Sequence, residues 1–456
     1  MLSFSVYWMT LAPSLSWSHW GADGGDFVTA AMTGRIPHPP GFPVYMALAR
    51  CFARLPWRDP AWCLNLLSAL MGAGTVALVA ATLLLRGSDR WEALSAALTL
   101  AFAPLFWSQA LIAEVYTTAA FFVGLGLFMA QWASLHETRC GWFSVAPTFF
   151  VAPAFFVGLA WGLAVSVHVT LLFLAPFWWF IMRRSPYFTL RDGWRLGAGL
   201  LVGLLPYAAL PLGGSWPQPW GDMRSLEGWW DVVSARLYWG YAFSLPWAYW
   251  PQRLLAWMAL MARQFTPLGG LLVVLGIVLL WKRARSTAAG LLMVFVLCSL
   301  YAIGYNTPDS LVYLVPVLPV LVLGLAEGLA WVSERVGFSW VGLVLPLFLL
   351  VWHWGSLDLS HDTAVAVWVD RTLAQTPGDA VLLTQGDRET FALWCAQSAL
   401  NLRPDVLLVD RDLWQQKPYR DFIAGQTGQA VAVPEDFAST MMRPLCMLDA
   451  EEVVCP

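Results

Sequence analysis

Charge is what this sequence has least of. Of its 456 residues only 12% are Asp, Glu, Lys or Arg, about half the share that soluble proteins carry. Twenty-six basic and 29 acidic side chains cannot cover the surface of a soluble chain of this length, which excludes an ordinary soluble enzyme. The formal net charge is −3, and no basic cluster exceeds Lys282, Arg283 and Arg285, so nucleic acid is excluded as a partner. Cysteine is also sparse. Cys51, Cys63, Cys140, Cys298, Cys395, Cys446 and Cys455 show no CxxC or metal-ligand spacing. Cys446 and Cys455 are free to pair if the tail lies in an oxidising compartment, and are otherwise small hydrophobes. No internal repeat is evident, which gives an inverted-repeat transporter no support.

What the sequence has in abundance is apolar: 59% of residues are hydrophobic and 29 are tryptophan. Runs long enough to cross about 30 Å of hydrocarbon recur to about residue 355. Spans are expected near 2–16, 62–85, 92–111, 114–134, 194–212, 264–281, 287–304, 311–332 and 339–355. The apolar stretch from Trp142 to Met182 is too long for one span, and a break near His168 divides it in two. The result is a mostly α, polytopic bundle of about eleven crossings. The first span begins at Met1 without a basic flank, so it is not expected to be a cleavable signal peptide; its shortness requires either little tilt or further residues upstream. Arg86, Arg90, Arg139, Arg183 to Arg195, Lys282 to Arg285 and Arg335 then fall on one side, which predicts a cytoplasmic amino terminus. Arg50, Arg54 and Arg58 are the exception, on an amphipathic stretch from Val44 to Pro56 suited to lie at the headgroups and bind phosphate.

Beyond Trp354 the chain becomes charged. Ala380 to Thr384 and Asp405 to Asp410 read as strands, Arg388 to Leu400 and Tyr419 to Ala424 as helices. Two domains are expected: a membrane domain over 1–355 with functional outer loops, and a small soluble α/β extracytoplasmic domain over 356–456. The compact loops and tail favour a bacterial inner membrane.

The polar motifs gather on the outer side. Asp23-Gly24-Gly25-Asp26 places two carboxylates three residues apart, with glycines that let them approach a ligand or a divalent cation, and partial burial raises their basicity; they suit a general base and its partner. A glycine-rich turn with solvated acids is the plainer reading. His38-Pro39-Pro40-Gly41-Phe42-Pro43 is a rigid loop that fixes one histidine, or merely a stiff entry to the next helix. Glu114, followed by Val115 and Tyr116, is a carboxylate in an apolar run and requires a polar cavity or a helix end. His168 lands on the same side, though a lone histidine is more often structural. The loop from Gly213 to Arg253 carries Trp220-Gly221-Asp222, Arg224, Arg236 and Tyr238 among many aromatics. Arginine binds phosphate and aromatic faces pack on sugars, although interfacial anchoring explains the aromatics as well. Tyr305 to Asp309 opens the ninth span on that same face.

These residues resemble the GT-C glycosyltransferase superfamily, in particular its protein O-mannosyltransferase-like family. Asp23, Gly25 and Asp26 match its acidic loop, and His38 to Pro43 its proline-histidine motif. Asn65 to Leu70, Glu114-Val115-Tyr116, the Gly-Leu-Ala element ending in His168, Trp220-Gly221-Asp222, Gly386-Asp387 and Arg403-Pro404-Asp405-Val406 are similar to further family features. Asp26 stands where glutamate is common, one methylene shorter. The resemblance implies a GT-C fold and inverting transfer of a mannose-like hexose from a polyprenyl-phosphate donor to a hydroxyl of a protein, lipid or glycan on the extracytoplasmic side. Asp23 would be the base, Asp26 its assistant or, with Asp23, a metal ligand. His38, Glu114, Tyr116, His168, Trp220, Asp222, Arg236 and Tyr238 would shape the pocket, with Arg236 near phosphate. Two other readings compete: a transporter or flippase of a lipid-linked or small polar substrate, which requires charge in the middle of spans, and a membrane scaffold without catalysis.

Overall fold

A computed structural model describes residues 1–136, 153–183, 189–213, 217–449 and 452–455. The expected Arg139 and the start of the apolar stretch at Trp142 lie outside them. The membrane part is built from helices α1 (Leu2–Thr10), α2 (Gly24–Thr33), α3 (Pro43–Phe52), α4 (Pro60–Leu85), α5 (Arg90–Phe102), α6 (Pro104–Gln109), α7 (Tyr116–His136), α8 (Pro153–Val167), α9 (Ala175–Met182), α10 (Leu190–Leu204), α11 (Leu226–Val233), α12 (Trp250–Arg283), α13 (Arg285–Gly304), α14 (Leu318–Val336) and α15 (Val344–Leu357). Among the described residues six helices are long and apolar enough to cross a membrane. That does not establish about eleven crossings, and the sequence shows why several expected spans are cut short. The first helix ends at Thr10, three residues before Pro13, instead of reaching residue 16. The span expected over 92–111 breaks at Ala103, because Pro104 restricts the residue before it to an extended conformation. The long stretch does divide at His168, whose backbone is extended between α8 and a following helical turn.

The bundle packs where glycine permits. Gly158 and Gly162 of α8 lie against the backbone of α10 at Leu196, Leu200 and Gly203, and Gly276 of α12 against Gly324 and Gly328 of α14. Small residues are the general means by which membrane helices approach closely. Asn65 on α4 fixes the return of the chain after α1: its Nδ2 donates to the carbonyls of Ala12 and Ser14, both at 2.9 Å.

The tail has its own core. It consists of α16 (Ala364–Gln375), β1 (Val381–Thr384), α17 (Asp387–Leu400), β2 (Leu407–Asp410), α18 (Lys417–Thr427), α19 (Asp436–Met441), β3 (Leu445–Asp449) and β4 (Glu452–Val454). The sheet order is β2-β1-β3-β4, with β1 parallel to both neighbours and β4 antiparallel to β3. Both expected strands and both expected helices are present, with α16, α19 and the β3–β4 hairpin in addition. Cys446 and Cys455 form a disulfide across that hairpin. Arg403 is a structural staple: its guanidinium donates to the carbonyls of Leu373, Thr376 and Pro377 and pairs with Asp405.

Candidate functional site

The site begins with α2 and the loop after it. Asp23 is the N-cap of α2 and Asp26 lies one turn along; Gly34 ends the helix in the left-handed region, which its lack of a Cβ allows. The chain then enters the proline-rich loop, which turns His38 back onto Asp26. A single oxygen, Asp26 Oδ2, accepts from the His38 backbone N–H at 2.7 Å and from Nδ1–H at 2.8 Å. The other ring nitrogen, Nε2, lies 3.5 Å from Asp23 Oδ2. One imidazole is thus held between two carboxylates. The Asp26 side chain is 3% exposed and Asp23 36%, so Asp23 is the carboxylate that faces open space.

That space is a cavity of about 550 Å³. Asp23, His38, Glu114, Tyr116, His168 and Tyr238 line it, together with Tyr241, Tyr301, Tyr305, Tyr313, Asp309, Asp387 and Phe391. His168 Nδ1 bonds Thr170 Oγ1 at 2.7 Å, and its ring packs against Tyr116 and Tyr313. Burial would strip charge from His38, but Asp23 and the hydrogen bond to Asp26 outweigh it and carry its pKa up to about 9. Asp23 is raised above the usual carboxylate range, by burial first and then by Asp309 and Asp26, with His38 pulling the other way. The pair is therefore an imidazolium beside a carboxylate of increased basicity.

Several expectations are corrected here. Asp26 does not line the cavity; it stands behind His38. Among the described residues no group of three or more His, Cys, Asp or Glu side chains is arranged to hold a metal ion. Trp220 supports the site from outside, its ring meeting His38 at 6.1 Å between centroids. Asp222 and Arg236 are out in solvent, because each found a partner close in sequence: Asp222 pairs with Arg224 at 2.8 Å and Arg236 with Asp231 at 2.9 Å. Arg50 of the amphipathic stretch turns inward, donating to the carbonyls of Gly34 and Arg35.

The sequence places Tyr305 to Asp309 on the outer face and Gly386-Asp387 among the family-like features without assigning either to the pocket, and it does not single out Phe391, Tyr301 or Tyr313. Asp309 carries the signal that singled out Glu114, an acid at the edge of an apolar run. Asp387 and Phe391 come from the tail, and nothing local in sequence says that α17 folds back onto the first loop. Gly25 is what admits it: a Cβ there would lie 2.3 Å from the Phe391 carbonyl oxygen. The glycine of the acidic motif makes room for a helix rather than for a ligand. Phe391 stacks on His38 with ring planes 8° apart, and Trp17 Nε1 donates to the Arg388 carbonyl.

Two family models match this chain. One, described as the protein O-mannosyl-transferase TMEM260 N-terminal domain, covers residues 23–189, and the other, TMEM260-associated domain 2, covers 366–444. Together they span more than half of the chain and include Asp23, His38, Glu114, His168, Asp387 and Phe391 of the cavity, while its residues from Tyr238 to Tyr313 lie between them. Over these two segments the chain matches the TMEM260 protein O-mannosyltransferase family. The mouse (Mus musculus) protein O-mannosyl-transferase TMEM260 is 26% identical over 446 residues, 91% of this chain and 62% of the mouse protein. The Dictyostelium discoideum protein O-mannosyl-transferase tmem260 is 26% identical over 239 residues, 49% of this chain and 28% of that one. This chain therefore spans less than two thirds of the length of either relative. Both are eukaryotic, which lends nothing to a bacterial membrane. In fold, the chain is similar to ArnT from Cupriavidus metallidurans bound to undecaprenyl phosphate, with a TM-score of 0.64 and 12% identity over 98% of this chain and 91% of that one. The apo oligosaccharyltransferase of Archaeoglobus fulgidus gives 0.55 with 10% identity over 93% and 68%. The apolar helices and these membrane-protein neighbours make it an integral membrane protein of GT-C fold.

Proposed function

We propose that this chain is a membrane glycosyltransferase that moves a mannose-like hexose from a polyprenyl phosphate to a hydroxyl acceptor on the extracytoplasmic side, with inversion at the anomeric carbon. The observation that carries this reading is Asp23, a carboxylate of raised basicity facing the cavity beside an imidazolium fixed by Asp26. The names of its curated relatives support the sugar and the transfer, and the undecaprenyl phosphate of the ArnT structure supports a lipid-phosphate donor.

In this mechanism Asp23 removes the acceptor proton as its oxygen forms a bond to the anomeric carbon. The bond from that carbon to the phosphate oxygen breaks on the opposite side, and polyprenyl phosphate leaves with the electron pair. Burial raises the basicity of Asp23, and the imidazolium of His38 opposes that rise and favours the ionised base. Asp26 is a positioning residue that orients the ring. Arg236 is too far out to serve the phosphate. Arg253 instead braces the cavity wall, donating to the carbonyl of Thr307, a lining residue, at 2.8 Å and to Ser310 Oγ at 3.1 Å, and the tyrosine hydroxyls supply donors inside it. A transporter would place isolated charges along several spans; the acids here converge on one cavity.

The test is direct. Purified protein is incubated with polyprenyl-phosphate mannose and a peptide containing serine and threonine, and glycosylated peptide is measured by mass spectrometry. Wild type is expected to transfer, and Asp23→Asn to lose roughly 10²–10⁴-fold, the usual worth of a general base. Full activity in Asp23→Asn removes Asp23 from the chemistry, and no transfer by wild type from any polyprenyl-phosphate sugar favours transport.

A further inference from the structure

The tail reaches the cavity through one edge of its fold. The chain leaves β1, crosses through α17 to β2 on one side, and returns through α18 and α19 to β3 on the other. β1 is therefore the strand at which the direction of winding reverses. In open α/β sheets the crevice beyond the carboxyl end of such a strand is where ligands bind. Here that end is Thr384-Gln385-Gly386-Asp387, where Asp387 lines the cavity and Gln385 is exposed beside it.

The first turn of α17 is anchored from behind. Thr390 Oγ1 donates to Asp410 Oδ2 at 2.5 Å and lies 2.7 Å from Thr384 Oγ1. Asp410 in turn accepts from the Leu413 N–H, and its own N–H donates to the Tyr419 hydroxyl. From the front, Gly25 lets α2 meet the backbone of Phe391 and Ala392. Asp387 thus stands on a helix fixed on two sides, its carboxylate toward the cavity and without a salt bridge among the described residues.

The two ends of the cavity differ. Tyr301, Tyr305 and Tyr313 belong to or adjoin the apolar helices α13 and α14, so a donor carried on a lipid approaches from that side. Asp387 and Phe391 belong to the water-soluble tail, the side from which a polymer bearing a hydroxyl must come. We infer that Asp387 is a substrate-contacting residue of the membrane site, accepting hydrogen bonds from N–H or O–H groups of the acceptor next to the attacked oxygen. This rests on the proposed transfer reaction and adds to it a specificity role for the tail.

The experiment is a split of kinetic constants in the full-length protein, with polyprenyl-phosphate mannose as donor and a serine- and threonine-containing peptide as acceptor. Asp387→Asn is expected to raise the KM for peptide roughly ten- to hundredfold, the loss of a hydrogen bond to a charged group, with the KM for donor unchanged. Asp387→Glu, which keeps the charge, is expected to recover part of the loss and so separates recognition from folding damage. An unchanged peptide KM, a rise confined to donor KM, or equal loss in both variants overturns the inference. Wild type run in parallel tells the two ideas apart: no transfer by wild type counts against the reaction, whereas an active wild type with an indifferent Asp387→Asn counts against Asp387 alone.

Discussion

Gly25→Ala tests whether the tail is part of the catalytic apparatus. The added methyl would sit 2.3 Å from the Phe391 carbonyl oxygen, 2.5 Å from its carbonyl carbon and 3.0 Å from the Ala392 nitrogen. These are main-chain atoms, so no side chain can swing aside, and α2 and α17 must separate by about 1 Å to regain ordinary contact. Overpacking of this kind costs about 1–3 kcal/mol, which a folded chain survives. The geometric cost is larger, since a misplacement of about 1 Å can cost on the order of 10²-fold in rate. Gly24→Ala is the control: its methyl would meet Ala113 and Leu15 no closer than 3.4 Å, which is ordinary contact. The assay is mannose transfer to peptide in detergent, with thermal unfolding followed in parallel. Gly25→Ala is expected to fall roughly a hundredfold in kcat/KM while Gly24→Ala stays close to wild type. Equal activity of wild type and Gly25→Ala would show that the contact between the tail and the first loop has no part in the chemistry.

Further expectations concern groups around the site. Because the folded pKa of His38 is raised to about 9 from 6.5, its protonated form is favoured in the folded protein; the resulting stability is full below about 6.5 and is lost as pH rises through about 9. Thermal unfolding of wild type and His38→Gln should differ most at the acid end of that window and converge above it; a gap independent of pH would mean the imidazolium charge holds nothing. Arg236→Ala is expected to leave transfer unchanged, since Arg236 faces solvent and pairs with Asp231; a large loss would return it to the phosphate. Replacing both Cys446 and Cys455 with serine opens a short loop of sequence separation 9, for which chain entropy gives about 2–3 kcal/mol, and denaturation of the tail in the full chain is the measurement.

The sequence made the helical membrane part and the first strands of the tail legible because their signals are local: long apolar runs, and alternation bounded by turn residues. Proline broke the count of spans where composition alone saw continuous apolar chain, as at Pro104. Within the site, the residues brought together from afar, Asp23, His38, Glu114, Tyr116, His168 and Tyr238, sit in rigid or apolar surroundings where a polar group has few other uses. Asp222 and Arg236 lie in a loop with opposite charges two and five residues away, and residue type alone could not tell that local pairing would win. Gly25 was legible as a place of close approach, but its partner, the α17 backbone, lies more than 360 residues along the chain.

The scarcity of charge also bears on how substrates would lie in the site. Asp23, Glu114, Asp309 and Asp387 line the cavity with the two histidines and no lysine or arginine. Like charges in a poorly solvated space repel strongly, which is why burial and Asp23 push Asp387 up to about 7. A phosphate placed among these acids would add to that repulsion. In the proposed reaction it belongs at the tyrosine end, beside the hydroxyls of Tyr301, Tyr305 and Tyr313, with its lipid tail toward the apolar helices. The acid-rich end between Asp23 and Asp387 is left to a neutral acceptor, which brings hydrogen-bond donors and the one proton that the base removes. In the proposed reaction the elements that carry the lining side chains, apolar helices at one end and the tail at the other, set the direction from which each substrate approaches.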